Sequence, residues 1–330
     1  MKKWDYILGI DVSRNTLDVY SIEAKEHIQI ENNAQGFKVF MKWCKTFKIR
    51  LEKAIVALEY TGGYEYKLVQ FLENKSISYI RIPGLAIKNS QGISRGKTDM
   101  IDAQRIARYV DEKQKTLESS NPLNHSIIEL KEMMSLRKRL VRELAGYKAS
   151  LKERLHMYPN KKNDAVTKIY KTRIAQNEKT LADMEDELNQ FITAHPDIEQ
   201  NYQLLTTIRG IGKVNALMTI AYTENFESFV DARKYAVYIG VAPFEHSSGT
   251  SVKGRKRVSH IANKELKQEL NQAARTAIKW DPELREYAQK KLQNKCYGII
   301  LNNVKFKLVL RMFAVVKRKE KYVDNYQKSA

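Results

Sequence analysis

Apolar residues along this chain fall into two regimes. Through about residue 120 they come in short runs with strand spacing. Ile7-Leu8-Gly9-Ile10 is continuous, Leu17 to Ile22 and His27 to Glu31 alternate, and Ala54-Ile55-Val56-Ala57-Leu58 is continuous again. Continuous runs read as strands buried on both faces, alternating runs as strands covered on one. Ile77 to Ile82 supplies a further strand, closed by Pro83-Gly84. Phe37, Phe40, Met41 and Cys44 keep helical spacing, and Thr61 stands where it would cap a helix from Tyr64 to Asn74. Strand, strand, strand, helix, strand, helix, strand predicts an α/β domain with a mixed sheet over residues 1–120.

From Asn121 the period changes. Leu130, Met133, Leu136, Leu140, Leu144, Tyr147, Leu151 and Leu155 recur at steps of three and four, the stripe of a long amphipathic helix. Tyr158-Pro159-Asn160 breaks it, because proline cannot continue the hydrogen-bond ladder. A second stripe runs through Val166, Tyr170, Ile174, Leu181, Met184, Leu188 and Phe191. The pair predicts an antiparallel coiled-coil arm over residues 121–200, suited to spacing or oligomerisation. Residues 201–330 then predict a third, mainly helical domain, so the fold class is α/β plus α.

Four acidic positions change the picture. Asp11 and Glu59 each end a buried run, and a carboxylate there is costly without a positive neighbour. Thr98 caps a predicted helix whose first turn carries Asp99 and Asp102, three apart and therefore on one face. Each acid alone has an ordinary explanation, as a loop acid or as a complement to the helix dipole. Four of them, all oxygen donors without adjacent His or Cys, predict a site for Mg²⁺ or Mn²⁺. Two such ions about 4 Å apart are the arrangement used in phosphodiester chemistry.

Composition narrows the partners. The 330 residues carry a formal net charge of +20, most of the excess lying in residues 201–330, while the arm is nearly balanced. Such a field attracts polyanions, which favours nucleic acid over a neutral substrate. Cys44 and Cys296 are far apart and lack metal-ligand spacing, which fits a reducing cytoplasm and excludes a disulfide scaffold. No apolar run approaches the ~18 residues of a membrane span, so no membrane partner is expected.

Two basic segments stand out in the last third. Arg209-Gly210-Ile211-Gly212-Lys213 has the form of a helix-hairpin-helix, whose turn and following backbone N–H groups would hold a phosphate. A plain helix-helix turn has the same form. Next, the loop from Tyr238 to Asn263 sets Ser247, Ser248, Ser251 and Ser259 among Lys253, Arg255, Lys256 and Arg257. On residues alone the loop reads as a nucleic-acid clamp, since no His–Asp spacing marks a general base.

Taken together, the motifs resemble the DEDD transposases of bacterial insertion sequences, relatives of the Piv-type DNA invertases. The resemblance rests on Gly9-Ile10-Asp11-Val12-Ser13, Glu59-Tyr60-Thr61-Gly62, Lys97-Thr98-Asp99-Met100-Ile101-Asp102-Ala103, Gly240-Val241-Ala242-Pro243 and Ser248-Gly249, and extends through Ala274–Pro282 and Lys305–Phe313. One departure is His260-Ile261-Ala262-Asn263-Lys264, where the family usually has Arg-Gly-Asn. The resemblance implies a RuvC-like, ribonuclease-H-type first domain in which Asp11, Glu59, Asp99 and Asp102 hold Mg²⁺. It implies Ser248 as the residue joined covalently to DNA, with the neighbouring serines as alternatives. It further implies double-stranded donor and target DNA, a structured guide RNA encoded by the element, and a homo-oligomer, a dimer or a tetramer on DNA. The competing expectations are a RuvC-like nuclease that hydrolyses DNA without Ser chemistry, and a non-catalytic nucleic-acid-binding protein on the same scaffold.

Overall fold

The computed structural model describes residues 3–90, 98–229, 231–242, 247–248, 252–253, 258 and 261–324. It divides into two compact units, Met1–Leu123 and Asn124–Ala330.

The first unit holds β1 (Tyr6–Val12), β2 (Thr16–Ser21), β3 (Glu26–Glu31), α1 (Ala34–Thr46), β4 (Ala54–Glu59), α2 (Tyr66–Asn74), β5 (Tyr79–Ile82), α3 (Gly84–Ser90) and α4 (Asp99–Lys113). The five strands form one mixed sheet in the order β3-β2-β1-β4-β5. Tight turns join β1, β2 and β3, which therefore pair antiparallel. β4 follows a helical crossover and so lies parallel to β1, with β5 parallel to β4.

One face of the sheet carries Ile7, Ile55, Ala57, Ile80 and Ile82, packed with Ile106, Ala107, Tyr109 and Val110 of α4. The alternate set, Leu8, Ile10, Val56 and Leu58, is fully buried as well, as continuous apolar runs require. In the same unit Phe37 of α1 stacks on Phe71 of α2 with ring centroids 4.8 Å apart. Two boundaries differ from expectation. α2 begins two residues late, because the Thr61 hydroxyl donates to the Glu65 carboxylate instead of capping the helix. α3 follows Pro83 directly, where only a strand end is expected.

The second unit is helical: α5 (His125–Met157), α6 (Ala165–Ala194), α7 (Pro196–Thr206), α8 (Lys213–Thr223), α9 (Ala232–Tyr238), α10 (Lys264–Trp280), α11 (Pro282–Leu292) and α12 (Tyr297–Arg318), with a two-residue pairing of β6 (Ser247–Ser248) against β7 (Val252–Lys253). Ile127, Leu130 and Met134 of α5 and Leu188, Phe191 and Ile192 of α6 join one core with Leu217 and Ile220 of α8 and Leu308 and Met312 of α12. The hairpin of α5 and α6 is thus rooted in that core at one end. Farther out, Lys148 pairs with Glu178 at 2.7 Å and Arg154 with Asp164, while Leu136 stays 50% exposed and Ile169 63%. Its apolar stripe is narrower than the periodicity indicates, and charged side chains cover the rest.

Asp281 fastens the last three helices. It is fully buried, accepts from Leu284 N as the cap of α11, and pairs with Arg311 of α12 at 2.5 Å. Among the described residues no helix is long and apolar enough to cross a membrane.

Candidate functional site

The acids meet at one end of the first unit's sheet. Cross-strand register puts Asp11 of β1 opposite Asp18 of β2, and Asp18 opposite Gln29 of β3. In β4 the residue after Leu58, the partner of Ile10, is Glu59, itself opposite Ile82 of β5. Alternation turns every second β1 side chain, Ile7, Gly9 and Asp11, toward α4. Gly9 makes the approach of α4 close: a β-carbon there would stand 2.8 Å from the Ala107 β-carbon. Helix α4 begins with the Thr98 hydroxyl accepting from Ile101 N at 3.3 Å, which sets Asp99 and Asp102 in its first turn.

The consequence is electrostatic. Asp11 is raised from the ordinary carboxylate range to about 6, first by burial and then by the negative charges of Asp102, Asp99, Glu59 and Asp18. The other three sequence-predicted acids therefore all act on Asp11 at this end of the sheet. Asp102 also accepts from Arg105 Nη1 at 2.8 Å, so part of the negative charge is already countered within α4. Among the described residues no three His, Cys, Asp or Glu side chains gather tightly enough to form a metal-ligating group.

Three neighbours escaped the sequence reading. Asp18, 4% exposed, accepts from His27 Nε2 at 2.9 Å and from Gln29 Nε2 at 3.0 Å, adding a fifth carboxylate beside Asp11. Its alternating strand gave it the look of a solvent-facing acid. Glu65 is fully buried and accepts from Gly63 N at 2.8 Å, which shapes the turn after Glu59, where Gly62 and Gly63 take positive φ. Gly84 leaves room for Glu59, whose carboxyl carbon would lie 2.8 Å from a β-carbon at that position.

The predicted nucleic-acid contacts of the second unit divide in two. Between α7 and α8, Gly210 has φ of 94° and lies so close to α10 that a β-carbon would stand 2.6 Å from Ala273 O. Gly212 occupies the cap position of α8 and, as a glycine, offers no side-chain cap to the N–H groups of its first turn. The flanking cations have intramolecular partners: Arg209 pairs with Asp324 at 2.5 Å and Lys213 with Glu185 at 2.8 Å. Within residues 243–260 of the Ser-bearing loop, the structure describes only the backbone pairing of Ser247 with Lys253 and of Ser248 with Val252, together with Val258. Arg255, Lys256, Arg257, Ser251 and Ser259 lie outside the described residues. The ends of the loop are clasped, Asn263 N donating to Tyr238 O at 2.9 Å and Asn263 Nδ2 to the Tyr238 hydroxyl at 3.2 Å.

Two family matches give the class of this protein, that of the DNA transposases. Residues 8–159 match a DEDD-type family profile described as "Transposase", and residues 202–289 match "Transposase IS116/IS110/IS902 family". The chain belongs to this transposase family. It is also 27% identical over 268 residues to the pilin gene-inverting proteins of Moraxella lacunata and Moraxella bovis, an alignment covering 80% of this chain and 80% of each relative.

Proposed function

We propose that this chain is an insertion-sequence transposase or site-specific recombinase that cuts and rejoins DNA strands through a covalent Ser–DNA ester. The observation that supports the reading is Asp11, held near 6 first by burial and then by the negative charges of Asp102, Asp99, Glu59 and Asp18. A strand order of β3-β2-β1-β4-β5, with acids at the ends of β1 and β4, also supports a RuvC-like, ribonuclease-H-type assignment. The donor chemistry suits Mg²⁺ or Mn²⁺, being oxygen-only and mutually repelling, and the carboxylates would have to close on the ion, since no three of them gather as ligands among the described residues. Bound there, the metal would supply charge neutralisation at the scissile phosphate and activation of the attacking oxygen.

The chain's own groups have separate tasks in this scheme. The Ser248 oxygen attacks phosphorus, forming an O–P bond as the bond to the 3′ oxygen breaks; the hydroxyl proton leaves Ser248 and the departing strand ends as a 3′ hydroxyl. Bond energy is kept in the ester, so rejoining needs no external energy source. Arg209, Gly210, Gly212 and Lys213, together with Lys253, Arg255, Lys256 and Arg257, hold the backbone of donor and target DNA. For Arg209 and Lys213 this requires exchange of their partners Asp324 and Glu185 for phosphate. The family resemblance and the net charge of +20 support an element-encoded guide RNA, whose pairing would supply sequence specificity, and assembly as a homo-oligomer.

The test is the product. Incubated with Mg²⁺, its co-purified RNA and matching DNA, the wild type is expected to yield denaturation-resistant protein–DNA adducts, and Ser248→Ala and Asp11→Ala to yield none. Adducts from Ser248→Ala would move the nucleophile to Ser247, Ser251 or Ser259. Free ends without adducts would establish a hydrolytic nuclease, and binding without any cleavage a non-catalytic role.

A further inference from the structure

Asp11 and Glu59 close neighbouring parallel strands, yet the paired register of β1 with β4 ends one residue short of them, at Ile10 and Leu58. Each acid is held on its outer side instead, Asp11 opposite Asp18 of β2 and Glu59 opposite Ile82 of β5. Their mutual spacing is therefore left to the loops that follow, residues 13–15 and 60–65.

Asn32 crosses that gap. It follows β3, is 5% exposed, and its side-chain amide donates to Ser13 O at 3.1 Å and to Tyr64 O at 2.9 Å, while its backbone N–H donates to Asn15 O at 2.8 Å. One buried residue thus holds carbonyls of the loop after Asp11 and of the loop after Glu59. The second loop is also braced from within. Glu65 accepts from Gly63 N at 2.8 Å and from the Thr61 hydroxyl, so a hold on Tyr64 O carries back toward Glu59. The choice of side chain is informative. Asn32 Oδ1 is buried with no hydrogen-bond partner among the described residues, a penalty that a residue kept for packing would not incur. Both donors of its amide are in use, and a leucine of similar size offers none.

We infer that Asn32 is a positioning residue: it fixes the spacing of the two acid-bearing loops, and with it the spacing at which Asp11 and Glu59 face a divalent cation. The bearing on metal rests on the function proposed above, whereas the clamp on the loops does not.

Two variants of the full-length chain test this. Asn32→Leu keeps the volume and removes both side-chain donors. Asn33→Ala, one residue along, removes the cap of α1, which accepts from Gln35 N and Gly36 N, and so serves as the control for lost stability. In EDTA, hydrogen exchange at Ser13 and Gly63, whose N–H groups donate to Thr16 O and to Glu65, is expected to quicken at least tenfold in Asn32→Leu and to stay close to the wild-type rate in Asn33→Ala. In calorimetric titration with Mn²⁺, Asn32→Leu is expected to bind at least tenfold more weakly than the wild type. Cleavage by it should need correspondingly more Mg²⁺ for half-maximal rate, with the rate at saturating Mg²⁺ largely restored. Exchange and metal affinity unchanged in Asn32→Leu, or changed equally in Asn33→Ala, would overturn the inference. Quickened exchange in Asn32→Leu beside a wild type that binds no Mn²⁺ would leave the clamp standing and remove the metal site, and equal Mn²⁺ affinity in wild type and Asn32→Leu, with unchanged exchange, would do the reverse.

Discussion

A β-carbon built on Gly9 would lie 2.5 Å from the backbone nitrogen of Ala107, so α4 rests directly on the β1 backbone. The contact sets how near the first turn of α4 comes to Asp11. Gly9→Ala must push the helix outward, an overpacking strain typically of about 1–3 kcal/mol. Urea unfolding should show that loss, and the Asp11 carboxyl should titrate closer to its ordinary range as Asp99 and Asp102 withdraw. An unchanged Asp11 titration by NMR would contradict this account of the site.

Asp11 gives a pH signature in metal-free protein. Its folded-state pKa is raised to about 6 from 3.8, so the fold favours the protonated form. That stabilisation is complete below pH 3.8, diminishes as pH rises to about 6, and is gone above. Asp11→Asn removes the ionisation and should stabilise the metal-free protein in EDTA well above pH 6, seen as a higher Tm, by roughly 1–2 kcal/mol once solvent screening of this partly exposed group is allowed for. The advantage should vanish in the acid limb. A Tm difference independent of pH would show that Asp11 does not carry this penalty.

The strand-end acids were legible because a continuous apolar run states its own burial, and the residue that closes it is thereby placed. Thr98 with Asp99 and Asp102 was legible for the same local reason, the geometry of a capped first turn. Asp18, Gly84 and Glu65 were not. Asp18 faces the site only because β1 lies between β2 and β4, and no alternation pattern states which strands become neighbours. Gly84 matters through a contact with a residue 25 positions earlier in the chain. The charge count also overstated the free cations around Gly210, since Asp324 and Glu185, distant in sequence, already take Arg209 and Lys213.

Gly84→Ala should separate fold from activity. The new β-carbon would meet the Glu59 carboxylate, the mobile end of a side chain, so a rotamer change absorbs most of the clash. Stability is expected to fall by about 1 kcal/mol, while Mg²⁺-dependent cleavage falls at least tenfold. Wild-type cleavage by this variant would remove Glu59 from the site.

Asp281 supplies a test of the second unit alone. Removing its carboxylate leaves Arg311, 12% exposed, with Glu283 as its remaining ionic partner at 2.6 Å, and strips α11 of its cap. Asp281→Ala should cost about 3 kcal/mol, the lower end of the loss expected when one member of a buried pair is deleted, because Glu283 still faces Arg311. Asp281→Ala combined with Arg311→Met should recover part of it, measured by urea denaturation.

The hydrogen bonds between Tyr238 and Asn263 make the intervening segment a graft with its own base. Helices α9 and α10 are tied to each other there, whatever the chain does between them. Doubling such an excursion costs only about 0.6 kcal/mol in closure entropy. Insertion and deletion inside it are therefore cheap, and the family can diversify the segment that carries the serine while the helices beneath stay as they are.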